Sequence, residues 1–235
     1  MTALPSNATV PVISKAELAA GMIWNINKPA GWTSFDVVNK LRYATRIKKV
    51  GHAGTLDPFA TGVLLICFAS ATKQVEQLMT LDKEYEGVLE LGAETDTHDV
   101  AGKIVATRPV PEFSRQQLEE VIARYRGALM QQPPAFSALK QGGQRLYKLA
   151  RAGKSLVLEP RPVTVHFLDI IAVQLPEVTI RLACSRGTYV RSLARDIGND
   201  LGCGAFLKTL QRTRIGPYTL AQSLTVEDFI KRLTD

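Results

Sequence analysis

One carboxylate in this 235-residue chain sits in a setting suited to holding it still. The segment GHAGTLDPFATG (51–62) carries Asp57 after two glycines and before a proline. Gly51 and Gly54 let the backbone turn tightly or approach a ligand, and Pro58 biases Asp57 toward an extended conformation. The loop feeds VLLICFA (63–69), an apolar run that fits a buried strand. The result is a stiff loop that holds one carboxylate before a buried strand. By itself Asp57 also reads as a turn or cap residue. The loop matches neither GxGxxG nor the P-loop pattern, so phosphate-cradle readings fail.

A carboxylate in a dry pocket needs a hydrogen-bonded cation. CSRGTYVRS (184–192) offers Arg186 and Arg191 at a strand-to-helix junction, where a helix N-terminus also favours anions. Either could serve Asp57, and both also read as exposed arginines beside an ordinary cap. Tyr85 reads as a sheet-packing aromatic. Phe136, Tyr147 and the cations between them suit base stacking and phosphate binding, or merely cover the core. His52, His98 and His166 are far apart, without HxH, HExxH or cysteine partners, so no metal site is expected. No GxSxG elbow supports a serine triad. Cys67, Cys184 and Cys203 lack metal or CxxC spacing and fit reduced core thiols.

Charge narrows the partner. Twenty-nine Lys and Arg against 22 Asp and Glu leave +7 at pH 7. The surplus is segregated. Lys40, Arg42, Arg46, Lys48 and Lys49 form one acid-free cluster; Lys140, Arg145, Lys148, Arg151 and Lys154 form a second; Lys208, Arg212 and Arg214 form a third. Acids concentrate between Glu76 and Asp99. This pattern suits a positive face for nucleic acid, with solvated helix faces as the alternative. No run approaches the roughly 18 to 20 apolar residues of a membrane span, and the N-terminus lacks a secretion signal. A cytoplasmic protein is expected.

The elements that must position these groups can be read from periodicity. Residues 1–21 look like a poorly structured leader. Residues 24–29 read as a short strand stopped by proline, and Ser34 as the cap of a helix through Thr45. Thr72 caps a short helix. KEYEGVLELG (83–92) alternates, with Tyr85, Gly87, Leu89 and Leu91 on one side, as a half-exposed strand does. Ser114 and Gln117 form a capping box. Residues 133–155 read as a mobile surface excursion. Two alternating strands, a helix starting at Thr188, two short strands and a helix capped by Thr225 follow. Strands outnumber helices, which indicates α+β with a mixed, largely antiparallel sheet flanked by helices.

Taken together, KPAGWTSFDVVNKLR, GHAGTLDPFATGVLL, KEYEGVLELGAETDTHDVAG, PPAFSALKQGGQRLYKLARAG and CSRGTYVRSLARDIGNDLGCGA resemble the TruB family of tRNA pseudouridine synthases, relatives of dyskerin. The likeness runs from about Met22 to Tyr218. It implies a pseudouridine synthase fold with an RNA-binding cleft in a single catalytic domain over 22–235. It implies isomerisation of uridine 55 in the T-arm loop of tRNA by base flipping, with no cofactor and no metal.

By motif position, Asp57 is the expected catalytic aspartate. Tyr85 would stack on the base and act as or support the C5 base, and Arg191 would pair with Asp57. His52, Tyr189 and Leu210 would contact the substrate. Residues 133–155 would form an RNA-binding thumb carrying Phe136, Lys140, Arg145, Lys148 and Arg151. The C-terminal PUA-like domain of many members is expected to be missing, with the thumb compensating. The chain is expected to act on tRNA as a monomer, without membrane or obligate protein partner. An RNA-folding chaperone, or an enzyme acting on another RNA, is the alternative.

Overall fold

The computed structural model describes residues 12–136 and 158–235, together with the backbone of two short strands between them. In chain order the elements are β1 (Ile13–Ser14), α1 (Lys15–Gly21), β2 (Ile23–Lys28), α2 (Ser34–Thr45), β3 (Val50–Ala53), β4 (Thr61–Phe68), α3 (Val75–Thr80) and β5 (Lys83–Leu91). There follow β6 (Ala93–Thr95), β7 (Ile104–Thr107), α4 (Arg115–Ala123), β8 (Gly127–Gln131), β9 (Lys140–Gln141) and β10 (Gln144–Arg145). The chain continues through β11 (Arg161–Gln174), β12 (Glu177–Cys184), α5 (Val190–Asp200) and β13 (Ala205–Ile215). It closes with β14 (Tyr218–Thr219), β15 (Leu224–Thr225), α6 (Val226–Lys231) and β16 (Leu233–Thr234).

A ten-stranded sheet runs β15-β2-β4-β13-β5-β12-β11-β8, with β14 added to β13 and β3 to β4. The β15–β2 and β4–β13 pairings are parallel and the others in the sheet antiparallel. This is the mixed, largely antiparallel sheet with flanking helices that the periodicity indicates. Strand β4 explains its unbroken apolar run. Leu64, Ile66 and Phe68 pack with Val38 and Leu41 of α2 and Phe229 of α6, while Val63, Leu65 and Cys67 pack with Ala71, Leu78 and Ile215. A strand covered on both faces has no polar side to show. Strand β5 buries Tyr85, Gly87, Leu89 and Leu91 and leaves Glu86 exposed, as its alternation requires. Its apolar side meets Val190, Leu193 and Ile197 of α5 and Leu118 and Ile122 of α4.

Local expectations hold in part. Ser114 and Gln117 make the reciprocal capping box of α4, and Thr225 caps α6. Four others are corrected. Residues 13–21 are not a loose leader: β1 pairs in parallel with β16, and Ile13 and Leu18 are buried against α2 and α6. Seven helical residues with a single buried side chain leave too short a period to read. The α2 cap is Thr33, which exchanges bonds with Asp36, because the carboxylate three residues on completes a box that Ser34 lacks. Thr72 lies inside a 3-10 turn, its hydroxyl donating to the Ala69 carbonyl at 2.7 Å, and caps nothing. Thr188 falls just short of α5, whose cap is Tyr189.

The three cysteines are free and buried, and burial pushes the Cys67 and Cys184 thiols up to about 11 and 12. Of the 133–155 excursion, β9 and β10 pair antiparallel and set Lys140 opposite Arg145. Tyr147, Lys148, Arg151 and Lys154 lie outside the described residues.

Candidate active site

The β3–β4 connection (54–60) carries Asp57, and buried groups from three elements grip its backbone. Ser34, the first residue of α2, accepts a hydrogen bond from the Leu56 amide at 2.9 Å and donates to the Leu56 carbonyl at 3.2 Å. The Lys28 ammonium, at the end of β2 and 0% exposed, donates to the carbonyls of Pro29 (2.8 Å), Trp32 (2.7 Å) and Pro58 (3.2 Å). The Arg212 guanidinium on β13, 1% exposed, donates to the carbonyls of Val63 (2.7 Å), Gly54 (3.1 Å) and Thr55 (3.4 Å). Each buried cation thereby satisfies loop carbonyls that would otherwise lack partners. Gly62 is required here. Its φ is +106°, and a β-carbon would lie 2.2 Å from the Arg212 carbonyl oxygen.

Arg191, in the first turn of α5 and 4% exposed, reaches Asp57 with its guanidinium. Its Nε lies 2.9 Å from Oδ2, and its Nη2 donates to Oδ1 at 3.2 Å. The same group donates to the carbonyls of Thr97 (3.1 Å) and Phe136 (3.0 Å), and Nη1 lies 3.4 Å from the Asp99 carboxylate. Of the two arginines that could have served Asp57, the structure selects Arg191. Arg186 is exposed and pairs with Glu76 at 3.4 Å.

Asp57 keeps 33% of its side chain exposed, so its carboxylate reaches solvent while Arg191 behind it is buried. Burial pushes its carboxyl up from the ordinary range, Arg191 pulls it back, and the Asp99 charge adds to the rise. Burial pulls the Lys28 ammonium down to about 8, with Asp57 opposing and Arg212 reinforcing.

Tyr85 on β5 is 8% exposed and lies in register with Arg212. Burial raises its phenol, with Arg212 opposing, so the neutral phenol persists through physiological pH. Leu210 stands two pairs along the ladder, opposite Gly87. The missing side chain at Gly87 leaves room for Leu207 and Leu210 beside the tyrosine. Tyr189 is half-buried. Its amide donates to Gln131 Oε1 at 2.8 Å and its carbonyl accepts from Gln131 Nε2 at 3.0 Å. Ser192 Oγ donates to the Gln132 carbonyl at 2.8 Å. The end of β8 is thus tied to the start of α5 at the point where the chain departs toward residue 136. His52 sits on β3 opposite Ile66, and burial and Arg212 hold its imidazole below the ordinary value.

Asp57, Arg191 and the Phe136 carbonyl therefore meet directly, and Tyr85 and Leu210 share one face of the sheet beside the loop. Sequence reasoning passed over Lys28, Gln131 and Asp99, and placed Arg212 in a free basic cluster. That third cluster is corrected. Arg212 is buried, Lys208 is paired with Glu90 (2.8 Å) and Glu177 (2.7 Å), and Arg214 with Glu84 (3.2 Å).

The comparisons with known proteins bear on the same residues. The TruB family pseudouridylate synthase N-terminal domain matches residues 42–190, and the tRNA pseudouridylate synthase B C-terminal domain matches residues 191–234. The tRNA pseudouridine synthase B of Francisella philomiragia is 47% identical over 204 residues, covering 86% of this chain and 68% of that protein. Its namesake from Parabacteroides distasonis is 44% identical over 225 residues, covering 92% of this chain and 96% of that one. Among solved structures, a chain from the crystal structure of a Cbf5-Nop10-Gar1 complex superposes with a TM-score of 0.73 at 28% identity. That match covers 92% of this chain and 55% of the other. The chain belongs to the TruB family of pseudouridylate synthases, enzymes of the isomerase class. The boundary between the two matched domains falls at Arg191, yet β13, which follows it, lies between β4 and β5 in one sheet.

Proposed function

We propose that this chain converts uridine 55 in the T-arm loop of tRNA to pseudouridine, with Asp57 as the catalytic carboxylate. The observation that carries the reading is the buried Arg191 guanidinium paired with a solvent-accessible Asp57, in a member of a pseudouridylate synthase family. The reaction breaks the N1–C1′ glycosidic bond, turns the uracil and joins C5 to C1′. No group is gained and no electrons are exchanged, so the chemistry needs no cofactor.

Asp57 can serve by attacking C1′ or C6, or by taking a proton from the ribose; each requires the anion. Burial disfavours that anion, and Arg191 supports it. Tyr85 stacks its ring on the extruded base as a neutral phenol, and the C5 proton leaves to a water that the phenol oxygen orients, the phenol itself not being the base. Leu210 and Tyr189 close the sides of the base pocket, and His52 meets the RNA as a neutral imidazole. Flipping the nucleotide costs a few kcal/mol, which stacking and hydrogen bonds to the base edge offset.

The tRNA is the partner this chemistry requires. Residues 133–155 act as its thumb, with Phe136 held at the thumb's base by Arg191. Among the described residues no helix is long and apolar enough to cross a membrane, and the cytoplasm is the compartment where an enzyme of this kind meets its substrate.

Incubation with unmodified tRNA and with an isolated T-arm stem-loop, followed by mapping of modified uridines, tests the proposal. Pseudouridine at position 55 in both RNAs is the expected result. Binding without isomerisation would favour the chaperone reading, and modification only of other transcripts would move the substrate.

A further inference from the structure

The net positive charge of the chain first reads as three acid-free clusters, and the structure treats them differently. The one around β13 is buried or ion-paired. Only the first, around the C-terminal end of α2, presents its cations to solvent as a group within the described residues. Lys40, Arg46, Lys48 and Lys49 are all exposed. Tyr43, on the same end of the helix, is 86% exposed, the most exposed of the large hydrophobic side chains described. Lys15, Arg42, Tyr43, Arg46 and Lys48 contribute to a surface recess of about 850 Å³. The acid beside it is Asp235, which is held by Lys15 at 2.6 Å.

Arg46 itself caps the helix with φ +61°, a left-handed conformation that glycine adopts at less cost. An arginine kept where glycine folds better points to a use for its side chain. Helix α2 begins at the Asp57 loop, where Ser34 bonds Leu56, and its 12 residues carry the basic end about 18 Å away. That distance puts the recess outside the nucleoside pocket.

We infer that the C-terminal end of α2 is a second RNA-binding surface, engaging phosphates of the tRNA body outside the T-arm loop through Lys40, Arg46, Lys48 and Lys49, with Tyr43 stacked on an unpaired base. The inference rests on the proposed tRNA substrate and adds where the rest of that substrate is held. Exposed cations around an exposed aromatic suit a chain of phosphates and bases.

The test compares full-length tRNA with the isolated T-arm stem-loop across a salt series. The variant Lys40→Gln, Arg46→Gln, Lys48→Gln, Lys49→Gln should bind full-length tRNA at least about tenfold more weakly, with the salt slope flattened by about three, as lost phosphate contacts require. Its stem-loop binding and turnover should match the parent. Tyr43→Ala should weaken full-length binding about tenfold with an unchanged slope. Arg46→Gly should raise Tm while still weakening full-length binding, which a merely structural arginine would not do. Lys208→Gln, which removes an ion-paired cation, should stay within about twofold of the parent.

Unchanged affinity of both α2 variants for full-length tRNA overturns the inference, as does equal weakening on both RNAs. Loss of binding to phosphatidylserine vesicles with tRNA affinity intact reassigns the surface to a membrane. If the parent isomerises neither RNA, the proposed activity fails by itself, while the binding comparison still decides this surface.

Discussion

Lys28, Arg191 and Arg212 are 0%, 4% and 1% exposed, whereas Lys40, Arg46, Lys48 and Lys49 at the far end of α2 stand in solvent. The buried three are matched to named carbonyls and carboxylates, so their charge is used inside the protein to fix one loop and one carboxylate. The exposed four are grouped without an intervening acid. The same residue types therefore perform two tasks, and burial decides which. Removing a buried member should damage the fold and catalysis together; removing exposed members should damage binding alone.

Arg191→Met should give the largest effect. Loss of a preorganised donor on the reacting carboxylate should reduce turnover by about 10³-fold. Stability should fall by about 3–5 kcal/mol, because Asp57 and Asp99 would face each other without a cation. Arg191 holds the Asp57 carboxyl down against burial, so the acid limb of the pH–rate profile should move to higher pH in the variant. Arg191→Lys should restore part of the charge effect but not the several directed bonds to Asp57, Thr97 and Phe136. A variant with unchanged turnover and unshifted acid limb would break the contrast.

Arg212→Gln should come next. It leaves the carbonyls of Gly54, Thr55 and Val63 short of a donor, costing about 3 kcal/mol by denaturant melting. A looser Asp57 loop should lower kcat by about tenfold to 10²-fold with little change in tRNA affinity. If tRNA affinity falls instead, Arg212 belongs with the exposed set.

A further contrast concerns pH. Lys28 and Lys83 both titrate near 8 when folded, against an ordinary 10.5, because burial favours the neutral amine. The unfolded chain therefore binds more protons between these values, and stability should rise as pH climbs from about 8 toward 10.5. In Lys28→Met that rise should shrink by about half, the remainder belonging to Lys83. Thermal melts across this window check the sign, and a fall in Tm for the parent would contradict it.

Much of this was legible in the chain. Alternation in β5 and the two-sided apolar run of β4 follow from a period of two, and Asp57 was marked by its glycines and proline. The choice between Arg191 and Arg186 came from the family resemblance and not from the residues themselves, since the two arginines lie five positions apart with equal chemistry and only the packing of α5 on the sheet aims one at the loop. Lys28 and Arg212 stayed hidden for a related reason. Their partners are backbone carbonyls as far as 158 residues away, and such contacts leave no spacing in the sequence. Arg212 also shows why a charge cluster misleads: composition records a cation without recording that a sheet has covered it. Ser34 was legible as a hydroxyl at a helix start, but its partner proved to be the loop rather than its own helix.

The central claim is that Asp57, kept anionic beside Arg191, carries the isomerisation. Tritium release from tRNA labelled at uracil C5 measures it most directly, with the parent compared to Asp57→Asn. The account predicts release by the parent and a loss of about 10⁴-fold or more in the variant, with tRNA binding held within about tenfold. Release by Asp57→Asn at a rate near the parent's would contradict it.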